Sequence, residues 1–174
     1  QYNAAMFLSE LSLQAFRNYL NHSFALTEPT TVILGPNARG KTSVIEAIGL
    51  LAAGNSFRAE TVPEMIQFGQ EIGRVKGVLR SDDENINLEI ILTRGQVQGK
   101  RTALRLYSVN DVRRRKKDFT SYFSTVIFRP EDMRLVEGSP SRRRQFIDAP
   151  LSFVDPEYER SLTTYEQALT RRNK

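Results

Sequence analysis

Gly35-Pro36-Asn37-Ala38-Arg39-Gly40-Lys41-Thr42 is the stretch from which the rest of the chain is read. Its spacing is G-x-x-x-x-G-K-T, set between the apolar run Thr31-Val32-Ile33-Leu34 and a helical pattern that opens at Lys41. A strand before it and a helix after it are the context in which this spacing reads as a phosphate-binding loop. The glycines let the loop turn its backbone N–H groups inward on one anion, and the helix N-terminus behind adds its dipole. Lys41 then reaches the β- and γ-phosphates, and the Thr42 hydroxyl holds a magnesium ion. A chance match in a glycine-rich turn is the competing reading, and the pattern on both flanks weighs against it. The expected ligand is a nucleoside triphosphate.

Composition bounds the remainder. A chain of 174 residues, 40% hydrophobic, can bury one substantial core, so one domain or one plus a small appendage is expected. Cysteine is absent, which excludes disulfides and cysteine metal sites. The single histidine, His22, cannot build a multi-histidine site and reads as a solvated residue ahead of a strand. No apolar stretch approaches membrane-spanning length and none resembles a signal peptide, so no membrane partner and a cytoplasmic location are expected. Gln1-Tyr2-Asn3-Ala4-Ala5, ahead of Met6, read as a cloning remnant. The net charge of +5 is mild, and its distribution matters more than its sum.

The order of patterns predicts an α/β fold. Met6 to Gln14 alternates as a strand with one buried face, and Ser23 to Leu26 and Thr31 to Leu34 read as the next two strands. From Lys41 to Ala53, Val44, Ile45, Ala47, Ile48, Leu51 and Ala52 cover most of a helix surface, which predicts a helix buried against a sheet, ended by Gly54. Ile72 to Leu79 and Ile86 to Thr93 form a hairpin pattern, with Arg101 to Tyr107 as a third strand. Thr125 to Phe128 is a short apolar strand stopped by Pro130. Beyond residue 130 the pattern turns helical. Asp155-Pro156 places an N-cap before a first-turn proline, and Tyr158, Leu162, Tyr165 and Leu169 follow at helical spacing up to Arg171-Arg172. The pattern predicts an α/β part over 6–130 and a helical part over 131–174 that stops without a capping signal.

Several segments together resemble one family. Leu11-Ser12-Leu13-Gln14-Ala15-Phe16-Arg17-Asn18-Tyr19, and a loop with Asn37 in third place, are similar to the RecF and SMC branch of ABC-type ATPase heads. Phe128-Arg129-Pro130-Glu131-Asp132-Met133, then Gly138-Ser139-Pro140-Ser141-Arg142-Arg143-Arg144-Gln145-Phe146-Ile147-Asp148, narrow the resemblance to the RecF family, and Tyr165 to Asn173 looks like a helix that family closes with Q-R-N. The resemblance implies a P-loop NTPase, with 6–130 as an ATP-binding first lobe of mixed sheet and antiparallel strands and 131–174 as the beginning of a helical second lobe. It also implies ATP and Mg2+ as ligands and binding to gapped or junction DNA. RecR and RecO family proteins are the implied partners, with an ATP-dependent homodimer and a part in loading RecA. In that scheme the amides from Asn37 to Lys41 hold the β-phosphate, Asn37 faces the γ-phosphate, and the turn Arg17-Asn18 lies beside the nucleotide. A surface turn after the first strand is the alternative for those two residues.

Departures from the family pattern are equally legible. The chain contains no L-S-x-G-Q segment and no apolar strand ending in Asp-Glu, so hydrolysis by this polypeptide alone is expected to be absent or slow. ABC heads carry a glutamine where this chain has Arg129-Pro130-Glu131-Asp132. Glu131 and Asp132 read as first-turn helix carboxylates more readily than as metal-approaching groups. Ser56-Phe57-Arg58 stands where the family usually has S-H-R.

Arg113-Arg114-Arg115-Lys116-Lys117 is a run of five cations that suits phosphate neutralisation on DNA or, equally, a solvated face. Arg142 to Arg144 read rather as partners for Asp148 along one helix. A small-molecule kinase, or a nucleic-acid-binding piece with a silent nucleotide loop, are the alternative functions.

Overall fold

Alternation from Phe7 onward builds the first element of the sheet in the computed structural model, which describes residues 6–27, 30–81, 84–130, 132 and 139–172, with the side chains at 142, 145, 149 and 153 outside that description. β1 (Phe7–Phe16) turns its Leu11 and Leu13 fully inward and pairs on one side with β2 (Tyr19–Ala25). On the other side it pairs with β3 (Ile72–Arg80), which pairs in turn with β4 (Asn85–Thr93). β5 (Gln96–Val97) and β6 (Lys100–Arg101) form a small separate hairpin. β7 (Arg105–Val109) and β8 (Val112–Arg114) complete a six-stranded antiparallel sheet in the order β2-β1-β3-β4-β7-β8. Asn110 and Asp111 join β7 to β8 with φ of 48° and 62°, the left-handed pair a tight hairpin needs.

α1 (Lys41–Ala53) lies on this sheet, with Val44, Ala47, Leu50 and Leu51 fully buried. It ends at Gly54, whose φ of 67° and N–H bond to the Leu50 carbonyl (2.8 Å) make the expected glycine cap. Gly77 of β3 makes the close packing possible, since a Cβ there would stand 2.7 Å from Leu51 Cδ1 and 2.8 Å from Leu8 Cδ1. α2 (Lys116–Thr120) places Phe119 in the core beside Tyr107, ring centres 5.2 Å apart.

Two expected strands do not form. Thr31 to Leu34 and Thr125 to Phe128 lie outside every ladder, and Val32 and Val126 are 70% and 97% exposed. β-branched composition favours a strand only where a neighbouring strand accepts its ladder, and among the described residues no strand does so. The expected strand from Arg101 to Tyr107 is divided, its first residue ending β6 and its last three lying in β7.

The chain divides into two compact units, Gln1–Val126 and Ile127–Lys174. In the second, α3 (Pro140–Val154) meets α4 (Pro156–Arg172). Asp155 Oδ1 accepts the N–H groups of Glu157 (2.8 Å) and Tyr158 (3.2 Å), the N-cap read from the sequence. The Tyr158 hydroxyl donates to Asp148 Oδ1 at 2.6 Å, which ties the two helices and raises the tyrosine above its ordinary pKa. Among the described residues no helix is long and apolar enough to cross a membrane.

Candidate nucleotide site

The loop 35–42 runs into α1 through Gly40, the helix N-cap, which has a φ of 97°. A side chain cannot enter there: a Cβ would lie 2.6 Å from both terminal atoms of Asn18 and 2.8 Å from the Tyr19 ring. Those two residues hold the loop from the β1–β2 turn, since Asn18 Nδ2 (3.2 Å) and the Tyr19 hydroxyl (3.4 Å) both donate to the Arg39 carbonyl. Lys41 Nζ reaches back across the loop to the carbonyls of Gly35 (2.7 Å) and Pro36 (2.8 Å). The N–H groups of Ser43 and Val44 bond to the Gly40 carbonyl, whereas the first N–H groups of a helix have no carbonyl behind them. The loop, its lysine and the helix start thus lie together at one end of α1, a combination that suits a polyphosphate.

Arg17 lines the cleft described below and is also the centre of a network of its own. Its own φ is 53°, in the left-handed region, and it leaves the turn towards α1 rather than towards the loop. Nε and Nη2 donate to the two carboxylate oxygens of Glu46, at 2.9 and 2.6 Å, and Nη1 donates to the Glu64 carbonyl at 2.7 Å. Glu46 is fully buried and also accepts from the Ser56 hydroxyl, whose oxygen receives the N–H groups of Arg58 and Ala59. This network joins the β1–β2 turn, α1 and the segment 56–64. Sequence reading missed Glu46 because one glutamate inside an apolar helix looks like a solvated position. The signal that could have found it is its place on the otherwise buried face that Val44, Ala47 and Leu51 define.

These groups open on a cleft of about 860 Å³ lined by Arg17, Asn18, Asn37, Ala38, Gly40, Lys41, Thr42, Ser43, Arg58, Pro63, Glu64, Ile66, Phe68 and Arg94. Gly35, Pro36 and Arg39 complete the loop without lining the cleft. Glu64 is the one carboxylate among the described residues that line the cleft. The Thr61 hydroxyl (2.6 Å) and N–H (2.9 Å) donate to it and hold it below its ordinary pKa, with smaller help from Glu60 and Arg17. A carboxylate so committed is a weak base.

The other residues singled out fall elsewhere. Arg113 and Arg114 lie exposed on β8 at the sheet edge, where cations also discourage edge pairing, while Arg115 caps α2 and Lys116 and Lys117 open it. Asp132 bonds Arg129 through Nη2 (2.7 Å), Nε (3.2 Å) and the backbone N–H (3.0 Å), a local bracket rather than a reach towards a metal. Glu131 and the Arg142 side chain lie outside the described residues, and Asp148 takes its hydrogen bond from Tyr158. Among the described residues no cluster of His, Asp and Glu could hold a metal ion by itself.

Residues 7–138 match the RecF/RecN/SMC N-terminal domain family. The chain belongs to this family. Within it, the similarity is to RecF: the chain is 35% identical to the DNA replication and repair protein RecF of Bacillus cytotoxicus and 36% identical to that of Bacillus cereus, over 97% of its own length. It spans 43% of those relatives. Two solved structures of the recombination mediator RecF, one with ATP and one with its analogue ATPγS, superpose over 98% of the chain. Their TM-scores are 0.81 and 0.83 at 32% and 33% identity, and the chain covers 46% and 44% of them. An SMC head domain from Thermotoga maritima shares the fold, with a TM-score of 0.54 at 23% identity over 67% of this chain and 42% of that one. The fold is therefore that of an ABC-type P-loop ATPase head, and the chain is similar to a part of RecF.

Proposed function

We propose that this chain is the nucleotide-binding part of a DNA-repair ATPase and that it takes ATP with Mg2+ in the cleft at the head of α1. The observation that carries the reading is the cleft at the head of α1, lined together by Asn37, Gly40, Lys41 and Thr42 of the loop. The RecF structures solved with ATP and ATPγS support it. Lys41 supplies charge to the phosphates and the amides from Asn37 to Lys41 hold the β-phosphate. Asn37 faces the γ-phosphate, and the Thr42 hydroxyl binds the magnesium, which offsets charge between the β- and γ-oxygens. Asn18 shapes the loop, and Arg17 acts through Glu46.

Turnover by the chain alone is slow or absent. Glu64 is engaged by Thr61, Glu46 is buried against Arg17, and the sequence offers neither a signature segment nor an Asp-Glu strand end. The whole protein dimerises with ATP, binds gapped or junction DNA with RecR and RecO family partners, and aids the loading of RecA. Arg113, Arg114, Arg115, Lys116 and Lys117 contribute to DNA binding. The lobe boundary stays near residue 130, and the protein works in the cytoplasm.

Calorimetry of Mg-ATP binding to the chain and to Lys41→Ala tests the reading. Binding that the substitution removes is expected. Equal binding by both proteins overturns the phosphate-loop assignment.

A further inference from the structure

The cleft has a second lining of different chemistry. Besides the charged and amide-rich loop it is lined by Pro63, Ile66 and Phe68. Phe68 is 99% exposed, so its ring adds nothing to the core. It is not on a loose loop. The Gln70 N–H donates to the Gln67 carbonyl at 3.1 Å, and Gly69, third in that turn, has the φ of 80° that a type II turn demands. One end of the turn is tied to β1 by the Gln67 N–H bond to the Ala15 carbonyl (2.9 Å) and by the bridge between Phe16 and Ile66. The other end is tied to the end of β4, where Arg94 Nε donates to the Gln70 carbonyl at 2.9 Å. A fully presented aromatic ring, carried on a turn tied at both ends and bordering the cleft, suits a flat apolar partner.

We propose that Phe68 is the stacking platform for the base of the nucleoside triphosphate whose phosphates the loop 35–42 holds. The proposal rests on the nucleotide reading above and adds the base subsite to it. A phenyl ring has no hydrogen-bonding atom, so Phe68 separates nucleotides from base-free polyphosphate rather than adenine from guanine. Pro63 and the largely buried Ile66 line the same cleft.

The test measures Mg-ATP and Mg-tripolyphosphate binding by calorimetry on the chain, on Phe68→Ala, on Phe68→Trp and on Lys41→Ala. Base–aromatic stacking predicts that Phe68→Ala weakens ATP roughly five- to 150-fold and leaves tripolyphosphate unchanged, with Phe68→Trp restoring ATP. Lys41→Ala weakens both ligands. ATP affinity unchanged in Phe68→Ala, or tripolyphosphate weakened as much as ATP, overturns the stacking role while the phosphate-loop reading stands. An unsubstituted chain that binds neither ligand overturns both.

Discussion

Arg17 and Glu46 stand 29 residues apart in sequence and meet as a two-point ion pair, 2.6 and 2.9 Å long, with the carboxylate fully buried. The pair fastens the β1–β2 turn to α1 and so sets where Asn18 and Tyr19 grip the phosphate loop. Removing one partner of a buried pair strands the other charge, at a cost of about 3–5 kcal/mol. Urea denaturation of Arg17→Met, which leaves the fully buried Glu46 carboxylate without its partner, should show a decrease of this size. The double substitution Arg17→Met with Glu46→Leu should cost less than the sum of the single changes, because no charge is then left buried. Additive effects would mean that the two groups do not act as a pair.

Gly40 combines a left-handed backbone with the absence of space for a Cβ. Gly40→Ala should therefore lower stability by about 1–3 kcal/mol and also weaken tripolyphosphate binding, since Asn18 and Tyr19 must back away from the Arg39 carbonyl. Thermal unfolding reads the first effect and calorimetry the second. A variant with unchanged melting and binding would show that the grip is dispensable.

Glu64 links the segment 61–65 to pH. Its carboxyl is held below the usual 4.5, first by the Thr61 hydroxyl and then by the Thr61 N–H. A depressed folded-state pKa gives stability that is present above the unfolded value and lost as pH falls through the folded one. Thr61→Ala should thus melt below the unsubstituted chain at pH 7, and the gap should narrow as pH drops below 4.5. A gap that is constant from pH 7 to pH 3 would assign the effect to packing alone.

Arg113, Arg114, Arg115 and Lys117 are exposed along β8 and the start of α2. Each phosphate neutralised steepens the dependence of log K on log salt by about 0.9. Replacing these four residues by alanine should flatten the salt dependence of duplex binding by about that amount for every phosphate no longer neutralised, with little change in melting. An unaltered slope would mark the run as a solvated sheet edge.

Much of the framework is legible from periodicity. Helix α1 spans the residues that its apolar pattern and Gly54 delimit, and β3 and β4 follow their alternation to within a residue. The Asp155 cap is equally local: one side-chain oxygen and the two N–H groups that follow it. The failures share one cause. Thr31 to Leu34 and Thr125 to Phe128 have strand composition, yet a strand exists only with a ladder partner, and a partner is a non-local fact.

The sequence by itself determined the form of the loop 35–42, because a glycine at the N-cap and a lysine in the first helical turn are properties of adjacent backbone. Tertiary structure alone decided that Arg17 meets Glu46 and that Arg17 and Phe68 share a cleft with Lys41. Both depend on where separate elements come to rest on the sheet, and no spacing along the chain records that.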